Sequence, residues 1–342
     1  MKIGIDIRNF SNLQENFLHN FLIYLGSKDF TLNIYSNNEI EGIKIIKSKN
    51  FNSFFGEQIL FLSKLIQDKN DIVITFNDTF PIFYNKKFIQ IITSLEKLLY
   101  PNINNSKSFR KHSYQNILKS NLKQAQKIIC FDEKTKKDIN EKLNIDEVKI
   151  EIISPFFYEI KKPTSIIDIK SKHSLNGEYL LYNSGVGINK NLKRLFESIS
   201  KTNINMIFLG NNISNDLETR EMIIQYGLKD KIIFAGEPDE KEIGLYYKQS
   251  LGIIFPLLYS SFPFSLNDAV NFNAQIIASD IDEIRNIFGN KINYFSPIST
   301  IEIIKSIENL IKSGKKEINY NNIIQKYTIE NFTNNFINLC QI

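Results

Sequence analysis

Short apolar runs alternate along the chain with segments whose apolar residues recur at helical spacing. The clearest runs lie at 232–235, 253–255 and 276–278 and are rich in β-branched or aromatic residues. Each is too short for a helix and has the composition of a buried strand. The segments between them, 241–250 and 264–272, have helical patterns. This alternation predicts βαβ units and a parallel sheet.

The same alternation fills the rest of the chain. In the first half it predicts strands at 2–7, 31–35, 43–46, 71–76, 88–93, 127–131 and 148–154. It predicts helices there at 12–25, 55–66, 106–127 and 133–143. The polar segment 158–176 contains Pro163 and predicts a linker, and the run 179–183 restarts the alternation. The sequence therefore predicts the α/β class.

The length of 342 residues suits two domains of ordinary size. We expect a first domain over 1–157 and a second over 158–325, on either side of the linker entry. The remaining segment, 326–342, forms a helical pattern. Its core-facing stripe consists of Tyr327, Phe332, Phe336 and Leu339.

Composition excludes several classes of protein. A hydrophobic content of 42% and a charged content of 23% are typical of a soluble globular protein. The net charge of +5 is too weak to indicate nucleic-acid binding. Cys130 and Cys340 lie far apart in apolar patterns, which predicts buried free thiols in a reducing compartment. Three scattered histidines and no Cys/His cluster argue against a structural zinc site.

The N-terminal residues predict a strand and lack the basic region and long apolar run of a signal peptide. No segment approaches the about 18–20 apolar residues of a membrane-spanning helix. We therefore expect a cytoplasmic protein.

Candidate chemistry follows the strand predicted at 253–255, because ligands of parallel sheets bind outside the carboxyl ends of the strands. Ser260, Ser261 and Ser265 place hydroxyls beside a helix N-terminus, where phosphate groups commonly bind. Asp268 would lie about one turn inside that helix, facing the same pocket. A serine-rich helix cap with a solvated aspartate explains the spacing equally well.

A second candidate loop follows the strand predicted at 179–183. Gly185 and Gly187 allow the backbone to approach a ligand closely. Lys190 then offers an ammonium group suited to phosphates, and Asn191 follows it. A capped surface helix is the alternative, but a Gly-x-Gly pair followed by Lys-Asn favours a binding role.

The first of these loops, with its helix, resembles the donor-site signature of retaining GT-B glycosyltransferases, in particular glycosyltransferase family 4. That signature has two glutamates with seven residues between them. Phe262 and Ala269 match the family's Phe and Ala, and Ser265 replaces a proline. Asp268 takes the place of the second glutamate, which in the family binds the nucleotide ribose. Ser260 takes the place of the first glutamate, which contacts the donor sugar.

The resemblance extends to other positions. Lys190 matches the family lysine that contacts the donor diphosphate, and Asn191 matches its neighbour. Gly236 and Glu237 match a turn whose backbone meets the nucleotide base. The remaining donor-binding candidates are Ser261, Phe262, Phe264 and Ser265.

Several positions depart from the family pattern. Thr93 and Ser94 stand where the family has His-Asp near the donor sugar, and we regard them as acceptor-side candidates. A simple strand end would explain both residues equally well. Pro263 replaces a glycine, the arginine of the Lys190 loop has no counterpart, and the segment 9–15 lacks the family's glycines.

The resemblance implies two Rossmann-like domains facing a cleft, the GT-B fold, with the C-terminal helix crossing back to the first domain. It implies transfer of a sugar from a UDP- or GDP-linked donor to a glycan, lipid-linked or protein acceptor in surface polysaccharide or glycoconjugate biosynthesis. No cofactor and no metal ion are expected. The main alternative is a GT-B binding or scaffold subunit with impaired catalysis. A GT-B epimerase is a weaker one, since no acidic and histidine constellation for proton transfer is evident.

The helix predicted at 106–127 is basic. Arg110, Lys111, Lys119 and Lys123 could contact anionic headgroups at the inner face of a membrane. A solvated helix face is the more ordinary interpretation of such a charge run. The Asp-Ile-Asp at 280–282 resembles a metal-binding motif of another glycosyltransferase fold, but its late position favours helix capping.

Overall fold

A computed structural model describes residues 1–8, 12–47, 53, 55–100, 108–239, 241–262 and 264–340. The chain forms two compact units, one of residues 1–158 and 327–342 and the other of residues 159–326. Each boundary lies one residue from the boundary expected from the sequence.

The first unit contains one parallel sheet of seven strands. These are β1 (Lys2–Asp6), β2 (Thr31–Ser36), β3 (Ile45–Lys47), β4 (Ile72–Thr75), β5 (Phe88–Ile92), β6 (Lys127–Cys130) and β7 (Ile150–Ile152). Their order across the sheet is β3-β2-β1-β4-β5-β6-β7, so the order reverses between β1 and β4. This is the doubly wound arrangement of Rossmann-like domains.

The helices of this unit confirm the predicted alternation, with differences of detail. They are α1 (Asn12–Gly26), α2 (Leu62–Asp68), α3 (Glu96–Leu99), α4 (Ser108–Gln124) and α5 (Glu133–Leu143). A π-helical segment, Gly56–Phe61, leads directly into α2, so the helix expected at 55–66 is α-helical only in its second part. The strand expected at 148–154 is shorter, because a 3₁₀ turn at Glu147–Lys149 precedes β7.

The second unit contains a parallel sheet of six strands. These are β8 (Tyr179–Tyr182), β9 (Asn205–Leu209), β10 (Ile232–Gly236), β11 (Gly252–Phe255), β12 (Ile276–Ser279) and β13 (Asn293–Phe295). Their order, β10-β9-β8-β11-β12-β13, reverses between β8 and β11. The two units therefore have the same winding, which confirms the predicted α/β class with two Rossmann-like domains.

Helices cover both faces of this second sheet. They are α6 (Ile169–Lys172), α7 (Leu192–Ser200), α8 (Asn211–Asn215), α9 (Leu217–Gln225), α10 (Ile243–Gln249), α11 (Ser265–Asn271), α12 (Asp282–Phe288), α13 (Thr300–Ser313) and α14 (Asn321–Lys326). The polar segment 158–176, expected to be the linker and the entry to the second domain, contains α6. The polar residue Asp168 caps this short helix, because its carboxylate accepts from the backbone N–H groups of Lys170 and Ser171.

The strands are apolar because both faces of each sheet are covered. Every residue of β4, β5, β8, β11 and β12 is buried. Continuous apolar runs of this kind are typical of parallel strands between two helical layers. Polar side chains are consequently concentrated where the strands end.

The chain closes with α15 (Ile329–Cys340), which packs on α1 of the first unit. The Phe332 ring meets the Phe17 and Phe21 rings edge to face at centroid distances of 5.5 and 5.3 Å. Phe336 contacts Phe21 in the same way at 4.9 Å. Edge-to-face pairs are favourable for aromatic rings. They confirm that the C-terminal helix returns to the first domain.

A buried ionic cluster lies at the carboxyl ends of β1 and β4. The Arg8 guanidinium donates to Asp6 Oδ1 at 2.8 Å and to Glu57 Oε2 at 3.2 Å. It also lies over the Phe61 ring, 3.9 Å from the centroid. Thr75 Oγ1 donates to Asp6 Oδ2 at 3.0 Å. The cluster joins the end of β1 to the π-helical segment and to β4.

We expect Arg8→Ala to lower the free energy of unfolding of the first unit by about 3–5 kcal/mol, because it leaves two buried carboxylates without a cation. Urea denaturation followed by circular dichroism measures the loss. The matched control is Lys47→Ala, which removes an exposed ion pair with Glu39 and should cost less than about 1 kcal/mol. Equal stability of the two variants would contradict the assigned role of Arg8.

Candidate active site

Two loops meet at the carboxyl edge of the second sheet, where the strand order reverses between β8 and β11. The loop after β11 donates from Leu258 N to Asn189 O of the loop after β8, at 2.8 Å. Asn189 Nδ2 donates in return to Tyr259 O at 3.4 Å. The two loops that the sequence singles out are therefore neighbours, at the edge where doubly wound sheets bind ligands.

The loop after β8 has a backbone that requires glycine. Gly185 and Gly187 have φ angles of 72° and 140°, which side chains rarely adopt. Tyr182 Oη donates to Gly185 O at 2.7 Å and holds the loop at the end of its strand. An added Cβ at Gly185 would meet no atom within 4 Å, so backbone conformation, not space, explains this glycine.

Lys190 and Asn191 occupy different positions at the end of this loop. Lys190 ends the 3₁₀ turn Ile188–Lys190 and is half-buried. Asn191 is buried with φ at 57°, and its Nδ2 donates to Pro297 O at 2.7 Å. Its Oδ1 accepts from Arg194 Nη1 at 3.1 Å. The Asn191 side chain thus fixes the start of α7, and its predicted contact with a donor stays a prediction.

Asp268 lies in the first turn of α11 and is bonded to α10. Tyr247 Oη donates to Asp268 Oδ2 at 3.2 Å and accepts from Asn183 Nδ2 at 2.7 Å. Asn183 directly follows β8, so this chain of bonds ties Asp268 to the edge where the two loops meet. Desolvation raises the pKa of the Asp268 carboxyl to about 6, while hydrogen bonds from Tyr247 and Asn267 lower it.

The aromatic and serine positions of the second loop are largely buried. Phe262 and Phe264 pack edge to face at a centroid distance of 5.2 Å. Ser261 and Ser265 are buried, whereas Ser260 is half-buried. Residue 263 lies outside the described residues. Only Ser260, of the three serines, keeps substantial exposure at this loop.

Gly236 and Glu237 lie at the far side of the same edge. Gly236 ends β10 with φ at 68°, and its carbonyl accepts from Gly210 N at the end of β9, at 2.6 Å. Glu237 is exposed. The structure therefore places a glycine pair and an exposed carboxylate at the ends of β9 and β10, on the same edge of the sheet as the β8 loop.

Three buried polar atoms at this edge have no hydrogen-bond partner among the described residues. They are Ser184 Oγ, Asn189 Oδ1 and Ser279 Oγ. A buried polar group without a partner costs about 1–3 kcal/mol. Such groups are retained where water or a ligand completes the bonding.

The acceptor-side candidates lie in the first unit, after β5. Ser94 Oγ accepts from Glu96 N at 3.0 Å, so it supports the start of α3. Thr93 is half-buried beside it. Of the basic-helix candidates, Lys123 is exposed and Lys119 half-buried on α4, while the side chains of Arg110 and Lys111 lie outside the description.

No group of three His, Cys, Asp or Glu side chains in the described part of the chain is arranged to hold a metal ion. In the Asp-Ile-Asp segment, Asp280 pairs with Arg285 at 2.6 Å, and α12 begins at Asp282. Both cysteines are free and buried, as predicted. Within the described ranges, no helix has both the length and the apolar character needed to span a bilayer.

Sequence reasoning missed Asn183 and Tyr247. The signal for Asn183 was present, because it is the first polar residue after a buried strand of the second sheet. Tyr247 gave no such signal, since a tyrosine in an amphipathic helix is ordinarily a core residue. Its role depends on partners 64 and 21 residues away.

Residues 165–327 match the family model described as glycosyl transferases group 1. The O-antigen chain mannosyltransferase RfbU of Salmonella typhimurium is 21% identical over 263 residues, which cover 76% of this chain and 70% of that protein.

Solved structures that resemble the whole chain include the following two. Alr3699/HepE from Anabaena, in complex with UDP and glucose, has a TM-score of 0.77 at 11% identity and matches over 100% of this chain and 99% of its own. A glycosyltransferase from Rickettsia africae has a TM-score of 0.71 at 18% identity, over 99% and 97% of the two chains. At these identities the likeness shows the fold.

We expect Asp268→Asn to stabilise the second unit at neutral pH. The folded-state pKa lies above the ordinary 3.8, so the folded state binds the proton more tightly, and stability falls as pH rises from about 4 to about 6. The variant should gain up to about 3 kcal/mol at pH 8 and nothing at pH 4. Urea denaturation across this pH range measures the difference.

The matched control is Asp280→Asn. Its partner Arg285 lowers the pKa of Asp280, so this variant should lose stability at neutral pH instead. An Asp268→Asn variant that is destabilised equally at every pH would contradict the cost assigned to desolvation of the Asp268 carboxylate.

Proposed function

We propose that this chain moves a sugar from a nucleotide-sugar donor to an acceptor hydroxyl with retention of configuration. The chain is a GT-B glycosyltransferase similar to family 4, and its residues 165–327 match the model of the glycosyl transferases group 1 domain. The observation that carries the proposal is the meeting of the two loops at the carboxyl edge of the second sheet. Both loops match donor-site segments of the family.

The donor would lie on this edge with its diphosphate toward Lys190. Gly185 and Gly187 keep side chains out of the way, so the backbone can approach the phosphates. The Lys190 ammonium would stabilise the negative charge that develops on the departing diphosphate. It would do so without a metal ion, and a UDP- or GDP-linked sugar fits this chemistry.

Asp268 would orient the nucleotide by accepting hydrogen bonds from the ribose hydroxyls. The ionised carboxylate accepts at both oxygens, whereas the protonated group has one oxygen that donates, so the ionised form suits this role better. The turn at Gly236 and Glu237 would meet the base. Buried Ser184 and Asn189, each with an oxygen that has no partner in the described part of the chain, support a polar ligand at the same edge.

In the reaction, the bond between the anomeric carbon and the diphosphate oxygen breaks. A new bond forms from that carbon to the acceptor oxygen, whose proton is released with the nucleoside diphosphate. Ser260, in place of the family's sugar-contacting glutamate, would offer a neutral hydroxyl to the donor sugar.

A surface polysaccharide or related glycoconjugate is the proposed destination of the sugar. The Salmonella relative is described as an O-antigen chain mannosyltransferase, which supports an acceptor of this class: a glycan, a lipid-linked saccharide or a glycosylated protein. Thr93 and Ser94 of the first unit would contribute on the acceptor side. The bond from Glu96 N to Ser94 Oγ leaves the serine proton available for a ligand.

The scaffold alternative is not favoured. It would explain Ser260 in place of an acid and the absence of the family arginine. It would not explain why the half-buried Asp268 carboxylate is held where desolvation raises its pKa. Proteins keep such groups where function requires them.

Peripheral contact with the inner face of a membrane would bring the enzyme to a lipid-linked acceptor. The exposed Lys123 and half-buried Lys119 project from α4 of the first unit. Lysines near an anionic surface contribute about 1 kcal/mol each.

We expect Lys190→Ala to weaken nucleotide-sugar binding by about 1.5–3 kcal/mol, roughly 10- to 150-fold in Kd, because a charged contact to the diphosphate is lost. Titration calorimetry with a panel of UDP- and GDP-sugars, without metal and then with magnesium, measures it. The matched control is Lys193→Ala on α7, an exposed lysine, which should bind as the wild type. Equal affinity of the Lys190 and Lys193 variants would refute the donor site.

We expect the wild type to bind anionic phospholipid vesicles at low salt and to dissociate at high salt, because screening removes the attraction. The double variant Lys119→Gln, Lys123→Gln should bind several-fold more weakly in co-sedimentation. Lys137→Gln with Lys142→Gln on α5 makes the same charge change and serves as the control. Binding that is absent, or equal at both salt concentrations, would rule the contact out.

A further inference from the structure

A single hydroxyl connects three elements of the candidate donor site. Tyr247 on α10 accepts from Asn183, which follows β8, and donates to Asp268 on α11. A phenol has one proton. Because Asn183 Nδ2 is the donor in the first bond, the Tyr247 proton is directed at the carboxylate.

We propose that Tyr247 is a positioning residue of the donor site, whose hydroxyl holds the Asp268 carboxylate in the orientation and the ionised form that accept hydrogen bonds from the nucleotide. The inference rests on the proposed function, which gives Asp268 its contact with the ribose. Tyr247 itself would act through Asp268.

The ring and the hydroxyl of Tyr247 have separable roles. The side chain is buried, and its ring lies 5.8 Å from the Phe272 ring, between centroids. A phenylalanine at this position would keep that packing and remove only the hydroxyl. If Tyr247 has a purely structural role, Tyr247→Phe should leave the site unchanged. If it is a positioning residue, the same substitution should alter the titration of Asp268.

The electrostatic setting makes the hydroxyl important. Desolvation is the main influence on the pKa of Asp268 and raises it, while Tyr247 from α10 and Asn267 from α11 lower it by hydrogen bonding. Asn183, from the end of β8, is neutral, and the Lys248 ammonium of α10 lies over the Phe272 ring, 6.0 Å from its centroid. If the hydrogen bond from Tyr247 is lost, one of the two bonds that lower the pKa of Asp268 is gone. The carboxyl group should then keep its proton to higher pH.

The direct test is the titration of Asp268 by carbon-13 NMR of aspartate-labelled full-length chain, with the signal assigned by its loss in Asp268→Asn. The wild-type midpoint should lie near pH 6. It should rise in Tyr247→Phe. A rise of one unit would reduce the ionised fraction at pH 6 from about a half to about a tenth. An unchanged midpoint in Tyr247→Phe would overturn the proposal.

The matched control is Tyr246→Phe. Tyr246 is the adjacent buried tyrosine of α10, but its hydroxyl bonds to His173 Nε2 at 2.9 Å instead of to Asp268. This variant should keep the wild-type midpoint. A rise as large as that in Tyr247→Phe would show a general effect on α10 and would also overturn the proposal.

The second test is the affinity for UDP, UDP-glucose and GDP-mannose between about pH 5.5 and about pH 8.5, a range that spans the titration of Asp268. Wild-type affinity should fall below pH 6, and in Tyr247→Phe the fall should occur at higher pH. If the wild type binds but both proteins share one pH profile, the role of Tyr247 fails alone. If the wild type binds no nucleotide at any pH, the proposed function fails, and the positioning role fails with it.

Discussion

The burial of both faces of each parallel sheet is the constraint on which the rest of the structure depends. Strands such as β8 and β11 are buried at every position, so they cannot carry polar chemistry along their length. Polar residues appear where the strands end, as with Asn183 after β8. The strand order reverses between β8 and β11, and the two following loops meet at the edge where doubly wound sheets bind ligands.

Buried charge is treated differently in the two units. In the first, Arg8 is bonded to Asp6 and Glu57, so opposite charges compensate and the cluster braces the strand ends. In the second, neutral groups hold Asp268, and desolvation keeps its pKa raised. The first arrangement has the properties of an ion-pair cluster that stabilises the fold. The second holds a carboxylate at a cost to stability, which is consistent with the ribose contact proposed for it.

The sequence was sufficient to predict the alternation of strands and helices and to identify the two loops of the candidate site. Apolar runs bounded by turns identify parallel strands locally, and the Gly-x-Gly loop before Lys190 carries its own backbone signal. The sequence could not reveal hydrogen bonds between side chains that only the tertiary fold brings together. Tyr247 meets Asn183 and Asp268 only after the sheet is wound, and the π-helical turn at Gly56–Phe61 has no distinct periodicity in so short a segment.

The loop between β11 and α11, with its following helix, carries less negative charge than the family's donor-site segment with two glutamates. Ser260 is neutral, and the described residues of the loop between β11 and α11 contain no Asp, Glu, Lys or Arg. With one acid removed and Asp268 partly protonated near pH 6, the loop repels a diphosphate less than two carboxylates would. It also offers the sugar no fixed negative charge. Under the proposed function, transition-state stabilisation would then depend chiefly on the departing diphosphate, toward which Lys190 is proposed to lie. Under the proposed function, Lys190 would therefore serve both donor binding and turnover, while Ser260 would contribute no charge to either.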